Sequence, residues 1–218
     1  MKLTLFGYWR SSSAWRVRTA LALKGLAYEY VPVHLVKDGG EQWKPEYLAR
    51  NPQGMVPLLE IEEGGVRRRV GQSVAIIEYL DERVPTPPLL PQDPWLRART
   101  RQLVEVVNSS IQPLQNSVLL KHLATEIKTD EKAWARHFIG RGLAALDKLV
   151  AETAGTFSVG DTVTTADLYL VPQLYNARRF ELDVAPFARL LAIEAACAAL
   201  PAFQAAHPDR QPDAQTAS

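Results

Sequence analysis

Three consecutive serines, Ser11-Ser12-Ser13, stand where an apolar run gives way to an amphipathic one, so the spacing places them at a strand-to-helix junction. Hydroxyls and unbonded backbone N–H groups then share one helix N-terminus, and such a place stabilises an anion. The nearby charges add to this: Lys2, Arg10, Arg16, Arg18 and Lys24 all precede Glu29, the first acid of the chain. Serine is also a preferred plain helix cap, so the triplet alone supports both readings. Gln72-Ser73 is a second junction of the same kind, where Ser73 can cap a helix whose first amides can receive a carboxylate. Met55-Val56-Pro57 is the third candidate. If its X-Pro bond is cis, the Val56 backbone turns outward as an edge for an extended peptide.

Other features carry less chemistry. Arg67-Arg68-Arg69 reads as a solvated edge strand. His34, His122, His137 and His207 are scattered without metal-ligand spacing, so no metal site is expected. Gly140-Arg141-Gly142 with Leu143-Ala144-Ala145 mimics a dinucleotide fingerprint but lies within a helical pattern with no strand before it. Cys197, in an alanine-rich helical stretch, reads as a small packing residue.

The elements that must hold these residues follow from periodicity. Leu3 to Tyr8 is a predicted strand, Ala14 to Lys24 a helix stopped at Gly25, and Tyr28 to Val33 a second strand. A short helix around Trp43 to Ala49 precedes two strands, Val56 to Ile61 and Arg67 to Val70, joined at Gly64-Gly65. Ser73 to Arg83 closes the unit as a helix. Residues 84–94 hold five of the 15 prolines and read as a linker between an α/β domain (1–83) and an all-α domain (95–218). In the latter, Leu96 to Leu114, Trp134 to Leu149 and Leu168 to Tyr175 show helical spacing, and Pro113 should kink its helix. Thr164 with Asp167 has the form of a capping box. The tail after Pro208 is expected to fray.

Composition excludes several classes of function. With 25 Lys+Arg against 24 Asp+Glu, the formal net charge is +1 and offers no field to hold a nucleic acid. A single cysteine rules out an intrachain disulfide framework and fits a reducing, cytoplasmic compartment. No stretch is long and apolar enough to span a membrane, and the N-terminus lacks a signal-peptide pattern. The triplet Asn108-Ser109-Ser110 is then a chance sequon.

The order of elements, the proline-rich linker and the helical second half resemble a soluble glutathione transferase. Residues 11–25, SSSAWRVRTALALKG, are similar to the signature of its zeta class. The likeness continues through VHLVKDGGEQW, NPQGMVPLLEI, QSVAIIEYL, PTPPLLPQDP, IQPLQN, VGDTVTTADLYLVPQ, NARRF and HPDRQPD. It implies a thioredoxin-like N-terminal domain, an all-α C-terminal domain, glutathione as cofactor and a homodimer. It also implies glutathione-dependent cis–trans isomerisation of maleylacetoacetate to fumarylacetoacetate, in tyrosine and phenylalanine catabolism. Maleylpyruvate isomerisation, chemistry on small α-haloacids and non-catalytic glutathione binding are the alternatives.

Carried over by position, Ser11 faces the glutathione thiolate, with Ser12, Ser13, Ala14, Trp15 and Arg16 around it. Gln42 lies near the glycyl end, Val56 beside a cis Pro57, and Gln72 and Ser73 at the γ-glutamyl group. Gln112, Asn116 and Ser117 come from the helical half, where the spacing after Asn116 departs slightly from the pattern. Arg10 and Arg179 would hold the carboxylates of a dianionic keto acid, which bidentate arginine suits. Ser13 replaces the cysteine usual in the class.

Overall fold

The computed structural model describes residues 1–214 and divides into two compact units, Met1–Pro87 with the chain from Leu200 onward, and Pro88–Ala199.

In the first unit, strands β1 (Lys2–Gly7), β2 (Glu29–Pro32), β3 (Leu58–Glu63) and β4 (Val66–Gly71) form a sheet of order β2-β1-β3-β4. β1 and β2 are parallel, so a crossover must join them, and helix α1 (Ser12–Leu23) supplies it. The other pairs are antiparallel, with Leu3 opposite Ile61 and Leu5 opposite Leu59. The period of two puts these four buried residues on one face. On the other face Phe6, Val33, Leu58 and Tyr47 form a cluster, Tyr47 coming from the short helix α2 (Pro45–Leu48). The sequence suggested a helix from Trp43. Pro45 instead opens α2 and a 3-10 turn precedes it, because proline without an N–H fits only the first helical turn.

Edge strand β4 carries the arginine triplet. Arg67 and Arg69 pair with Glu62 and Glu60 across the ladder, as a solvated edge requires. Helix α3 (Ser73–Arg83) contacts α1, and the two bury Val17, Leu21, Ile76, Ile77 and Leu80. The Lys24 ammonium, at the end of α1, donates to Asp81 and to the Val84 and Pro87 carbonyls.

The second unit begins with α4 (Pro94–Glu105), capped by Asp93, whose side chain accepts the Leu96 N–H at 2.8 Å. Its helical course does not continue evenly to Leu114. It widens into a π turn (Val106–Ile111) and tightens into a 3-10 turn (Gln112–Gln115) around Pro113, the expected break. Helices α5 (Ser117–His122), α6 (Glu131–Val150), α7 (Thr165–Arg179) and α8 (Ala188–Ala198) follow. A Cβ on Gly142 of α6 would fall 2.2 Å from Ile111, so this glycine serves close packing and not a phosphate loop. Asp167 secures the start of α7, accepting the Thr164 N–H and the Ser158 N–H at 2.8 Å each.

Two expectations about the C-terminus are corrected. The helix α9 (Pro201–Ala206) and residues 207–214 belong with the first unit and not with the all-α domain, because α9 packs on α1. Nor is the chain after Pro208 frayed as far as residue 214. Pro208–Arg210 form a 3-10 turn, and Asp213 accepts the Trp9 N–H at 3.0 Å. Residues 215–218 lie outside the described part.

Candidate active site

β1 ends at Gly7, and the chain turns through Tyr8, Trp9 and Arg10 before α1 begins. The turn closes when the Ser11 N–H donates to the Tyr8 carbonyl at 2.9 Å. Ser11 is then the N-cap, with extended backbone, and its Oγ accepts the Ala14 N–H at 3.2 Å. A hydroxyl that accepts through one lone pair keeps its proton to donate. The first turn of α1 holds no acid, so no carboxylate within it offsets the positive end of the helix. Arg10 lies over the Trp9 ring, its guanidinium carbon 5.4 Å from the centroid, and forms no ion pair among the described residues. Together these features suit an anion that accepts the Ser11 proton. The Ser11 hydroxyl therefore caps the helix and can also serve an anionic ligand.

Ser12 is buried and Ser13 is half-buried in the first turn. Ala14, Trp15 and Arg16 are buried beneath them, with the Trp15 indole edge-on to His207. Arg16 reaches the second junction: its Nη1 donates to the Ser73 Oγ at 3.3 Å. Ser73 is therefore not the cap of α3. Gln72 holds that position, with φ of 68° and no side-chain cap, and Ser73 is the first helical residue. The first intrahelical bond runs from Ile76 to Gln72, leaving the amides of Val74 and Ala75 without one. The Gln72 amide donates to Gln53 Oε1 at 2.8 Å.

The Val56-Pro57 bond is cis. Val56 lies before the ladder that starts at Leu58, and the segment is held from behind, where the Met55 carbonyl accepts from the Tyr47 hydroxyl at 2.6 Å and from Asn51 at 2.8 Å. Burial pushes the Tyr47 phenol up to about 12, so it remains a donor. Neither Tyr47 nor Asn51 was singled out from sequence; an aromatic and an amide shortly before a Gly-x-x-Pro stretch were the only signal.

The loop from His34 to Trp43 carries Gln42 and packs back on the turn through His34, whose ring is 5.1 Å from that of Tyr8. Gln42 is buried; its Nε2 donates to the Leu35 carbonyl at 3.3 Å, while its Oε1 has no partner among the described residues.

In the second unit, Gln112 is half-buried and its Oε1 accepts from Gln115 at 3.3 Å. Asn116 caps α5 by accepting the Val118 N–H at 2.9 Å, and Ser117 is exposed in its first turn. Gln115 and Gln173 exchange two amide hydrogen bonds, of 2.7 and 3.2 Å, joining this segment to α7. At the end of α7 two adjacent arginines are distinguished by their partners. Arg178 is held by both carboxylate oxygens of Glu194, at 2.6 and 2.5 Å, whereas Arg179 donates to Asn176 at 3.3 Å and lies over Phe180. Among the described residues, no group of three or more His, Cys, Asp or Glu side chains could hold a metal, and no helix is long and apolar enough to cross a membrane.

A four-stranded mixed sheet with helices, followed by a helical unit, has the architecture that two family descriptions match: Glutathione S-transferase, N-terminal domain, over residues 5–88, and Glutathione S-transferase, C-terminal domain, over residues 114–205. The maleylacetoacetate isomerase of Rattus norvegicus is 48% identical over 97% of this chain and 95% of its own. A crystal structure of maleylacetoacetate isomerase from Anaeromyxobacter dehalogenans, with GSH bound in the active site, is 57% identical, with a TM-score of 0.91 and 98% of each chain covered. A bacterial maleyl pyruvate isomerase of the zeta class, in holo form, is 42% identical, with a TM-score of 0.91 over 97% of this chain and all of that one. The chain belongs to the glutathione S-transferase family, in its zeta class.

Proposed function

We propose that this protein is a glutathione-dependent cis–trans isomerase that converts maleylacetoacetate to fumarylacetoacetate. The observation that carries the reading is the Ser11 hydroxyl, capping α1 through Ala14 while keeping its proton to donate, next to Arg10, which forms no ion pair among the described residues, and a first helical turn without an acid. Similarity to maleylacetoacetate isomerases over nearly the whole chain gives the reaction.

The residues present fit glutathione. The amides of Val74 and Ala75 at the start of α3 suit the γ-glutamyl carboxylate with Gln72 and Ser73 beside them, Val56 offers backbone outside the sheet ladder next to cis Pro57, and Gln42 serves the glycyl end. Bound there, glutathione supplies a thiolate that adds to the conjugated double bond, lets the resulting single bond rotate, and leaves unchanged. Ser11 lowers the cost of that thiolate by donating its proton, and the positive end of α1 favours the anion over the thiol. Ser12 and Ser13 contribute first-turn positions beneath the reacting sulfur, and Ala14, Trp15 and Arg16 hold that turn in place. Arg10, or the backbone N–H groups near Ser12 and Ser13, receives the negative charge that develops on the substrate's keto oxygen; one well-aimed donor contributes about 3 kcal/mol. Arg179 holds a substrate carboxylate, and Gln112, Asn116 and Ser117 of the helical unit are assigned by the resemblance to glutathione binding. The reading includes a homodimer in the cytoplasm and a place in tyrosine and phenylalanine breakdown.

Incubation with maleylacetoacetate tests it. The trans product should form only when glutathione is supplied, and adding glutathione near neutral pH should give the thiolate ultraviolet band, which Ser11→Ala loses. Equal turnover without glutathione would refute the reading. Maleylpyruvate is the second substrate to assay in parallel, because the zeta-class maleyl pyruvate isomerase shares this fold at 42% identity.

A further inference from the structure

The turn that presents Ser11 is braced from the far end of the chain. The Trp9 N–H donates to Asp213 Oδ2 at 3.0 Å, and the Tyr30 hydroxyl donates to the same oxygen at 3.3 Å. Arg18, fully buried, closes the other side: its Nη2 donates to the Trp9 carbonyl at 2.9 Å, its Nη1 to the Tyr8 carbonyl at 3.4 Å, and its Nε to the Ala206 carbonyl at 3.1 Å. Tyr8 O is also the acceptor for the Ser11 N–H. The Trp9 and Ser11 N–H groups and the Tyr8 and Trp9 carbonyls are thus bonded within β1–α1 or to the C-terminal segment. Tyr30 also stands against the end of β1, where a Cβ on Gly7 would come within 3.1 Å of its ring.

Among the described residues, Asp213 is the acid that faces Arg18, Tyr28 and Tyr30. Burial pulls the Arg18 guanidinium below its ordinary value, and Tyr30, Tyr28 and Asp213 oppose that pull. Burial likewise pushes the Tyr30 phenol far up, so it stays a neutral donor to Asp213. Arg18 in turn holds the Tyr8 and Trp9 carbonyls. Those carbonyls define where Ser11 sits.

We infer that Asp213 is a positioning residue for the isomerase reaction: through the Trp9 amide, and with Tyr30 beside it, it fixes the turn that sets the Ser11 hydroxyl, so the C-terminal segment is part of the catalytic architecture. The inference rests on Ser11's proposed role. The test compares wild type with Asp213→Ala and Asp213→Asn, measuring the pH dependence of the bound-glutathione thiolate band, kcat and KM for maleylacetoacetate, and thermal unfolding. In D213A the apparent pKa of the bound thiol should rise by about one unit and kcat fall roughly tenfold, with KM changing less, because misplacing a catalytic group by a fraction of an ångström is costly. D213N retains an oxygen for the Trp9 N–H and should recover most of the loss. A folded D213A with lowered melting temperature but wild-type thiol titration and kcat would overturn the inference. Should D213A fail to fold, D213E keeps the charge and moves the oxygens by a methylene; a wild-type titration there has the same force. A wild-type protein that forms no thiolate band would instead refute the proposed function.

Discussion

The Nη1 of Arg16 donates to the Ser73 hydroxyl oxygen at 3.3 Å, and this buried hydrogen bond ties the first turns of α1 and α3 together. Both helices begin at sequence junctions that suit anions, so the bond fixes the spacing of two anion-receptive ends. Removing it by Ser73→Ala should cost about 1 kcal/mol, the usual worth of a hydrogen bond. Arg16→Ala also leaves a cavity and should cost about 3 kcal/mol. Urea unfolding of the two single variants and the double variant is the check. The pair should lose less than the sum of the singles, and additive losses would show that the bond stabilises nothing.

The loop that carries Gln42 should be sensitive to acid. The His34 N–H donates to Glu41 Oε2 at 2.8 Å, and this bond, with help from Lys44 and against a smaller desolvation effect, holds the Glu41 carboxyl below its ordinary value. A carboxyl with a depressed folded-state value contributes stability above its unfolded value, and that contribution disappears as pH falls through the folded value. The His34 amide should therefore stay protected from hydrogen exchange down through the ordinary carboxylate range and lose protection only below it. In Glu41→Gln the protection should be weaker and flat with pH across that window. Parallel loss in both proteins would show that the carboxylate does not hold the loop.

Cys197 and Ser13 make opposite predictions about thiol reactivity. Cys197 is fully buried, and desolvation, with the nearby Asp167 and Glu194 charges, pushes its thiol well up. A disulfide reagent should leave it untouched until the protein unfolds. Ser13→Cys restores the residue usual in the class at a half-buried place in the first turn of α1. Its thiol should react in the native state with an apparent pKa below the ordinary ~8.5, because the helix terminus favours the thiolate. Reaction rates against pH distinguish the two sites, and a fast wild-type reaction would contradict the burial of Cys197.

What could be read from the sequence was what short-range chemistry dictates. The Ser11 cap, the Asp167 box, the break at Pro113 and the arginine edge strand each depend on residues a few positions apart. The cis bond at Pro57 was an open alternative on local grounds and entered through the resemblance. Partners distant in sequence could not be read. Nothing near Arg16 announces Ser73, nothing near Trp9 announces Asp213, and the doublet Arg178-Arg179 looks symmetric until Glu194 takes one member. The tail after Pro208 looked frayed because polar composition conceals its bonds to buried groups.

Gln115 and Gln173 offer the last test, because their contribution to position can be separated from their contribution to stability. Both are buried, and each amide donates to the other, satisfying one donor and one acceptor on each side. Gln115 ends the 3-10 turn that also carries Gln112, and Gln173 lies on α7, the helix that ends at Arg179. Gln173→Leu leaves the Gln115 amide buried without this partner, which should cost about 1–3 kcal/mol. Replacing both with leucine removes the stranded polar group along with its partner, so the double variant should regain most of that stability. Shape-neutral leucines do not reproduce the directional bonds that set the Gln112–Asn116 segment against α7. If that segment and Arg179 share one ligand, the double variant should show a raised KM for the keto acid at near wild-type melting temperature. Wild-type KM in a stable double variant would mean that the amide pair serves packing alone.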